Sequence, residues 1–457
     1  MARLLRSLQQ FLRLSPSSSL LPSTRFRQSI DTDFSRFREG DHVLLFATRK
    51  KPPVLAGPLQ EGRKTQTPRG HLEHDQVIGR GVRDLVTTHN GSKCRAILPT
   101  IDQYVALTPR FVTPIYARDA SVIVSQLNID VAPPGEGDDS KPPLEILESG
   151  TGHGSLTLHL SRAVQAANSA PPPIPKKSQL KYLQDRPARS GNTTKDTSAP
   201  PQNAPESGEK EIDPVQQQWD AWRAQRKAIV HTVEVSPTYA KHAEKIVRGY
   251  RRGIYAGNVD FYAGRVESWI AARKQQHAPP TSPVISLFKS KSFEPFLTHA
   301  ILDMPSAHLR IPHVAPILKP DGNLVVFTPS VTQIVDCVEI IRKQRIPLDL
   351  DNVIEIGTGL SGGRIWDVRF ATKKSKADPG WDSSLSTDGE SGTATGEPSG
   401  EGGVREETQT QTQEPAQEPP QGLEDVVVCR PKAGTLNSGG GFVAIWTKMR
   451  IAEETTQ

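Results

Sequence analysis

The sequence has little cysteine and no long apolar run. Its 457 residues include three cysteines, Cys94, Cys337 and Cys429, and none of them belongs to a CxxC pair. This usage indicates neither a disulfide framework nor a zinc site. No stretch of 18 apolar residues occurs, so the sequence predicts no membrane-spanning segment.

Hydrophobic residues are also scarce, at 35% of the chain, whereas glycine and proline number 35 and 39. This composition predicts that part of the chain is disordered and that a smaller folded part carries the function. The net charge is +6, but the segment from Asp378 to Asp425 holds twelve acids and one base, Arg405. Setting aside its charge of −11 leaves +17, which suits a polyanionic partner, although a need for solubility would also explain it.

The first 30 residues are rich in arginine and serine and contain no acid. Their apolar residues Leu4, Leu5, Leu8, Phe11 and Leu12 fall on one helical face. This pattern is typical of a mitochondrial presequence, and a disordered basic leader is the alternative. We predict a targeting leader over residues 1–30.

Two folded regions follow the leader. Residues 34–112 contain short apolar segments, "HVLLFAT", "QVIGR", "CRAILPT" and "QYVAL", which predict a small all-β domain. A second domain is predicted over 113–168 and 215–450. A proline-rich segment, 169–214, and an acidic segment, 375–425, interrupt it, and both are predicted to be disordered insertions.

Strand and helix patterns alternate in the second domain once the insertions are removed. Alternation of this kind predicts a mostly parallel α/β sheet. The last two strands, "RIWDVRFATK" and "GFVAIWTKM", have only a loop between them, which predicts an antiparallel final strand. This arrangement describes the Rossmann-like sheet of class I methyltransferases better than a nicotinamide-binding sheet.

A glycine-rich turn lies in "ILESGTGHGSLTLHLSRAV", where Gly150, Gly152 and Gly154 follow Glu148. A dinucleotide site has the spacing G-x-G-x-x-G, whereas this turn has G-x-G-x-G preceded by an acid. Glycines let the backbone approach a ligand closely, and a carboxylate attracts a cation. Both features suit S-adenosylmethionine, which is cationic and has no phosphate. A structural strand-to-helix turn is the alternative.

Two further acids are predicted to lie at the ends of parallel strands. Glu234 ends the second strand, where an acid accepts hydrogen bonds from ribose hydroxyls, and Asp303 ends the fourth strand. The carboxyl ends of the strands form the ligand crevice of an open parallel sheet, so both acids are candidate site residues.

Several segments, in the same order along the chain, resemble the catalytic subunit of the tRNA (adenine-58-N1) methyltransferase family. They are "PRGHLEHDQVIGR", "RFVTPIYARDASVI", "LESGTGHGSLT", "HTVEVSPTYAKHAEKI", "AILDMPSA", "GNLVVFTPSVTQI", "WDVRF" and "CRP…GGGFVAIWTK". The resemblance implies transfer of a methyl group from S-adenosylmethionine to N1 of an adenosine in the tRNA T-loop. It also implies a tetramer, either of this chain alone or of this chain with a non-catalytic homologue, and tRNA as the partner.

The resemblance assigns roles by position. Asp303 would be the catalytic carboxylate and Glu234 would bind the ribose. The methionine end of the cofactor would be held by Glu148, Ser149, Gly150, Thr151, Gly152, Gly154, Ser155 and Leu156.

The chain departs from the family's pattern at three places. Pro114 replaces a glutamine, Arg265 stands near an expected aspartate with Glu267 close by, and His153 replaces a serine in the glycine turn. Three hypotheses stay open: an active mitochondrial enzyme, a nuclear catalytic subunit, and a catalytically silent RNA-binding subunit with the same fold.

Overall fold

The computed structural model describes residues 29–47, 52–135, 141–183, 213–277, 294–357, 366–372, 425–431 and 440–450. Most of the predicted leader and most of both predicted insertions lie outside these residues. The chain divides into a main unit and a smaller unit, 363–436. In the described residues no helix is long and apolar enough to cross a bilayer.

The N-terminal module of the main unit is built from six short strands. They are β1 Val43–Phe46, β2 Val54–Ala56, β3 Lys64–Thr67, β4 Gly70–Glu73, β5 Leu85–Thr87 and β6 Lys93–Ile97. Strands β2-β1-β6-β5 form one antiparallel sheet and β3-β4 form a hairpin. Phe37, Leu45, Leu59, Leu72 and Val86 contribute to its own hydrophobic core.

Two of the predicted strands in this region are wrong. The segment "QVIGR" begins with the last residue of a short 3-10 helix, His74–Gln76, and continues as a turn. The segment "QYVAL" lies in helix α1, Ile101–Leu107, whose start is capped by Thr100. Tyr104 and Val105 of α1 pack into the core of the second domain, so the module's own core ends before the predicted boundary at residue 112.

The second domain is an α/β sheet with helices on its faces. Its helices are α2 Ala117–Ser125, α3 Ser155–Ala163, α4 Pro214–Ala224, α5 Pro237–Gly249, α6 Val266–Gln276, α7 Ile311–Val314 and α8 Val331–Lys343. Its strands are β7 Leu144–Ser149, β8 Lys181–Tyr182, β9 Ala228–Glu234, β10 Val259–Ala263, β11 Leu297–Leu302, β12 Leu318–Thr328, β13 Leu348–Gly357 and β16 Gly440–Lys448.

The strand order is β13-β16-β12-β11-β7-β9-β10-β8. Every neighbouring pair from β12 to β8 is parallel, and β16 runs antiparallel between β12 and β13. The predicted fold class, a mostly parallel class I methyltransferase sheet with an antiparallel last strand, is confirmed. Central strands such as β7 and β9 are buried along almost their whole length, because helices cover both faces.

The partner of the last strand differs from the sequence prediction. Strand β13 pairs with β16, whereas the predicted strand "RIWDVRFATK" forms β14, Trp366–Thr372. Strand β14 pairs with β15, Asp425–Pro431, in a hairpin of the smaller unit. The alternation in "WDVRF" predicted a strand correctly but gave no information about its partner.

Residues 169–183 were predicted to be part of a disordered insertion, and they are instead folded. Pro171, Pro172 and Pro175 are buried, and β8 adds an eighth strand to the sheet. The Ser169 hydroxyl accepts a 2.9 Å hydrogen bond from Trp222 Nε1 on α4. The proline-rich composition reflects packing here, so the prediction of disorder is wrong for this part of the segment.

Candidate active site

The carboxyl ends of β7, β9, β10 and β11 meet at one edge of the sheet. Ser149, Glu234 and Asp303 stand at or just beyond three of these ends, and Gly264 and Arg265 follow the fourth. The backbone N–H of Asp303 donates a 2.8 Å hydrogen bond to the backbone oxygen of Ser149, which joins the end of β11 to the end of β7. The fold therefore brings together the acids that the sequence singled out.

The glycine turn occupies the gap between β7 and α3. Gly150, Gly152 and Gly154 all have positive φ, at 97°, 53° and 84°. A Cβ on Gly150 would lie 1.8 Å from the backbone oxygen of Asp303. Only glycine therefore allows the turn to approach the end of β11 this closely.

Glu234 is held against the glycine turn by hydrogen bonds. Its Oε2 accepts from the Gly152 N–H at 3.0 Å, and its Oε1 accepts from the Ser236 N–H at 3.0 Å. Ser236 in turn caps the start of α5. Two backbone donors thus fix the carboxylate, which remains an acceptor for further hydroxyl groups.

A cavity of about 570 Å³ opens at this edge. It is lined by Val112, Thr113, Ser149, Gly150, Gly152, Val233, Glu234, Val235, Tyr239, Gly264, Arg265, Val266, Glu267, Asp303, Met304, Pro305 and Arg310. Its volume falls in the range of small-molecule and cofactor sites, and its wall mixes apolar side chains with a few polar groups.

A second cavity of about 290 Å³ lies beside the first. Asp303, Met304 and Pro305 line both cavities, so the Asp303 side chain stands on their common wall. Gln333 also lines the smaller cavity, and its Oε1 is buried without a hydrogen-bond partner in the described part of the chain. A carboxyl group and a free amide oxygen therefore offer acceptors to a ligand there.

The carboxyl group of Asp303 is electrostatically unusual. Burial, and then the nearby negative charge of Glu234, raise its pKa to about 7. Perturbed carboxyl groups of this kind cluster in functional sites. Near neutral pH both the protonated and the ionised form of this group are therefore populated, and a nearby cation would favour the ionised form.

Glu148 does not line either cavity, although it was predicted to meet the cofactor. It is fully buried, and its Oε2 accepts from Thr157 Oγ1 at 2.6 Å and from Thr232 Oγ1 at 2.8 Å. Burial raises its pKa to about 8, and the charges of Asp303 and Glu234 add to this effect. Glu148 therefore joins β7, α3 and β9 below the turn as a neutral group at pH 7.

Four other predicted cofactor residues also lie off the cavity walls. Thr151 Oγ1 bonds Thr232 Oγ1 at 2.6 Å, and Ser155 Oγ donates to Ile115 O at 2.5 Å. Leu156 packs in the main core, and Gly154 lies against Ala243 of α5. The side chains of Thr151, Ser155 and Leu156 are therefore committed to the fold, and Gly154 serves the close packing of the turn on α5.

His153 has a structural role that the sequence did not reveal. Its Nε2 lies 3.1 Å from Thr108 Oγ1, and its Nδ1 lies 3.2 Å from His242 Nε2 on α5. Burial, followed by the charges of His242 and Arg110, lowers the pKa of His153 to about 4. A neutral imidazole therefore connects the glycine turn to the segment after α1.

Several residues that line the larger cavity were not predicted from the sequence. Tyr239 comes from the first turn of α5, and Arg310 reaches the cavity from the loop after β11, where its Nε lies 3.1 Å from Glu267 Oε1. Arg265 and Glu267 do reach the cavity, as their position after the third strand of the alternation suggested. In the described chain, no group of three or more His, Cys, Asp or Glu side chains is arranged to hold a metal.

Comparison with known proteins finds relatives that are named as tRNA methyltransferases. The family model described as TrmI-like N-terminal matches residues 36–81. The tRNA (adenine(58)-N(1))-methyltransferase TrmI of Thermus thermophilus is 24% identical over 327 residues, which cover 72% of this chain and 88% of that protein. The tRNA (adenine(58)-N(1))-methyltransferase catalytic subunit TRM61 of Candida albicans is 28% identical over 127 residues, 28% of this chain and 34% of that protein.

Solved structures with a similar fold include two methyltransferases. A SAM-dependent O-methyltransferase from Thermotoga maritima has a TM-score of 0.47 and 14% identity, with 92% of this chain and 97% of that chain covered. The tRNA (m1A58) methyltransferase TrmI from Aquifex aeolicus has a TM-score of 0.44 and 14% identity, with 91% and 100% covered. The sequence matches confirm the resemblance that the motifs predicted.

Proposed function

We propose that this chain transfers the methyl group of S-adenosylmethionine to N1 of adenosine 58 in the T-loop of tRNA. The observation that carries the proposal is the position of Asp303 on the wall shared by a cofactor-sized cavity and a smaller polar cavity. The names of the Thermus thermophilus and Candida albicans relatives support the choice of reaction.

The larger cavity fits S-adenosylmethionine. Glu234 would accept hydrogen bonds from the ribose hydroxyls, since two backbone N–H groups already orient its carboxylate. Gly150 and Gly152 leave room for the methionine end, because a Cβ on Gly150 would close the gap to β11. Val235, Tyr239 and Val266 provide an apolar wall for the adenine ring.

The smaller cavity fits the target adenine. Adenine presents the N6 amino donor next to the N1 acceptor, and Asp303 together with Gln333 Oε1 would accept from such donors. The adenosine must leave the stacked T-loop to enter a protein cavity of this kind. Binding of the amino group would then aim N1 across the shared wall toward the larger cavity.

Asp303 would also stabilise the charge that develops during transfer. Bound S-adenosylmethionine supplies an electrophilic methyl carbon; as N1 forms its bond, the carbon–sulfur bond breaks and positive charge passes to the adenine. A carboxylate at the shared wall favours this charge most strongly in a partly buried site, where water screens it poorly. No proton has to leave N1, so Asp303 acts by position and charge.

A direct assay tests the proposal. The purified full chain is incubated with an unmodified tRNA transcript and S-adenosylmethionine, and digested nucleosides are identified by mass spectrometry. We expect 1-methyladenosine in the transcript with adenosine 58 and none in a transcript with guanosine at that position. Methylation of another base, or none at all under conditions where the chain binds both substrates, would contradict the proposal.

The assembly and the location of the chain are part of this proposal. We propose a tetramer, which the family resemblance supports, and the Candida albicans relative is itself named as a catalytic subunit. Molar mass by light scattering distinguishes a tetramer of this chain from a monomer that needs a second chain. We also propose mitochondrial import by residues 1–30, supported by their composition; residues 1–30 fused to a fluorescent protein should direct it to mitochondria.

A further inference from the structure

A third cavity, of about 630 Å³, lies between the N-terminal module and α5. Its walls carry an excess of positive charge, and we name it the basic cleft. It is lined by Gly40, His42, Gly57, Pro58, Tyr104, Thr108, Pro109, Phe111, Lys176, Ser178, Lys241, His242, Glu244, Lys245, Ile246, Arg248 and Gly249. Neither the proposed cofactor site nor the proposed adenine site uses it.

The charge of the basic cleft is available to a ligand. Lys176, Lys241 and Lys245 are exposed, and they form no ion pair with other residues that the structure describes. Glu244 is the one acid on its walls; it is buried and is already bound by Arg248 Nη1 at 3.1 Å and by the Gln179 N–H at 2.7 Å. Three unpaired lysines therefore face an anionic ligand without a competing free carboxylate.

The segment 169–183 helps to build the cleft. Glu244 accepts hydrogen bonds from Ser178 and Gln179, and Arg248 donates to the carbonyl oxygens of Pro175 and Lys177. These bonds fix the segment along α5 and bring Lys176 to the cleft wall. The part of the chain that looked like a disordered insertion thus supplies a cation at a defined position.

An aromatic side chain stands between the basic cleft and the cofactor-sized cavity. Phe111 lines the cleft and is 64% exposed, which is unusual for a large apolar side chain. Its ring stacks 6.4 Å from the ring of Tyr239, which lines the cofactor-sized cavity, and meets His242 edge-on at 4.8 Å. Phe111 and Tyr239 therefore join the wall of the basic cleft to the wall of the cavity that holds Asp303.

We propose that the basic cleft binds the sugar-phosphate backbone of RNA next to the nucleotide that enters the active site, with Phe111 stacking on a neighbouring base. Lysines along a groove and an exposed aromatic ring are the two features that bind single-stranded nucleic acid without reading its sequence. The inference rests on the proposed function for the identity of the substrate as RNA, but its test does not require methylation.

The test compares two triple variants of the full chain. One replaces the cleft lysines, Lys176→Gln, Lys241→Gln and Lys245→Gln. The control replaces three exposed lysines elsewhere, Lys64→Gln, Lys141→Gln and Lys343→Gln, and so makes the same change in net charge. Binding of a fluorescently labelled tRNA transcript is measured by anisotropy at several salt concentrations, and S-adenosylmethionine binding by calorimetry.

The cleft variant should bind tRNA on the order of tenfold more weakly at 0.1 M salt, with the slope of log affinity against log salt reduced by about 2. The control should keep the slope, and both variants should bind S-adenosylmethionine as the unmodified chain does. Phe111→Leu should weaken tRNA binding roughly fivefold without changing the salt slope. An equal loss in the control, an unchanged slope in the cleft variant, or displacement of tRNA by polyglutamate at equal charge would overturn the proposal.

This result is separable from the outcome of the methylation assay. A cleft variant that loses tRNA affinity supports the RNA cleft even if no 1-methyladenosine forms. If the unmodified chain methylates adenosine 58 while the cleft and control variants bind tRNA alike, the proposed function stands and the cleft proposal fails.

Discussion

Asp303 and Glu234 face the same cavity from the ends of β11 and β9, and the negative charge of Glu234 adds to burial in raising the pKa of Asp303 to about 7. Two carboxyl groups in one site can take different roles when their surroundings differ. Glu234 is bound by two backbone N–H groups, whereas the Asp303 carboxyl stands on the wall between two cavities.

Replacing Asp303 should separate catalysis from cofactor binding. Asp303→Asn preserves the shape of the side chain but removes its negative charge, so methylation should fall by about 10²-fold or more. The dissociation constant for S-adenosylmethionine should rise by no more than about tenfold, which is the part due to the carboxylate charge, because the ribose and methionine contacts come from other residues. Asp349→Asn, on the exposed part of β13, is the matched control. A variant of Asp303 with a near-normal rate would contradict its role.

The raised pKa of Asp303 predicts a pH-dependent preference for the charged cofactor. Above about pH 7 the carboxylate attracts the sulfonium of S-adenosylmethionine, and S-adenosylhomocysteine lacks that charge. The affinity for S-adenosylmethionine, divided by the affinity for S-adenosylhomocysteine, should therefore rise about tenfold as the pH increases through 7. Comparing the two ligands by calorimetry cancels the ionisation of the amino acid group that they share.

Two variants check the origin of this preference. In Asp303→Asn the affinity ratio should not depend on pH. In Glu234→Gln the midpoint should move to lower pH, because removing the negative charge of Glu234 removes one cause of the raised pKa. A pH-dependent ratio that persists without the Asp303 carboxyl would show that another group is responsible.

Much of the fold could be predicted because its signals are local. The central strands are continuous apolar runs, and their alternation with helices determines a parallel sheet. Strand β13 was missed because it lies at the sheet edge, where most of its residues are exposed and the apolar pattern is weak. The prolines of 169–183 led to a prediction of disorder. Composition alone does not show that this segment packs on α4 and α5.

The candidate site was predictable only in part. Glu234 and Asp303 could be identified because an acid at the end of a parallel strand faces the crevice in any sheet of this kind. Tyr239 and Arg310 could not, since they come from a helix and a loop whose position depends on tertiary packing. Glu148 precedes the glycine turn as expected, but the alternation along β7 directs its side chain into the core.

Substitution of Gly150 tests the close approach between β7 and β11. Gly150→Ala places a Cβ 1.8 Å from the Asp303 carbonyl oxygen at a φ of 97°, so it should lower the free energy of unfolding by about 3 kcal/mol or more. It should also prevent S-adenosylmethionine binding. Gly91→Ala has a similar φ of 80° but open space around the Cβ, and should cost about 1 kcal/mol. Denaturant titration measures the free energy of unfolding of both variants. An equal loss of stability in the two would contradict the steric argument.

Two glutamates of β7 should affect stability in opposite directions. Burial raises the pKa of Glu148 to about 8, above its ordinary value of 4.5. The unmodified chain therefore loses stability as the pH rises from 4.5 to 8, because the unfolded state ionises first. Glu148→Gln should accordingly gain stability relative to the unmodified chain across this interval, by about 4 kcal/mol between pH 4.5 and 8, and the difference should stay nearly constant above it.

Glu145 provides the opposite case on the same strand. Burial opposes its ionisation, but hydrogen bonds and charges from His231 at 2.7 Å and Arg273 at 2.5 Å outweigh burial and lower its pKa. The ionised form thus stabilises the fold above its ordinary pKa of 4.5, and this contribution is lost as the pH falls through the lowered value. Glu145→Gln should therefore be less stable than the unmodified chain at pH 6 to 8, by about 2 kcal/mol, with a difference that shrinks on acidification. Thermal unfolding of both variants between pH 4 and 9 checks the signs; a stabilising Glu145→Gln at pH 8 would show that the His231 and Arg273 contacts do not outweigh burial.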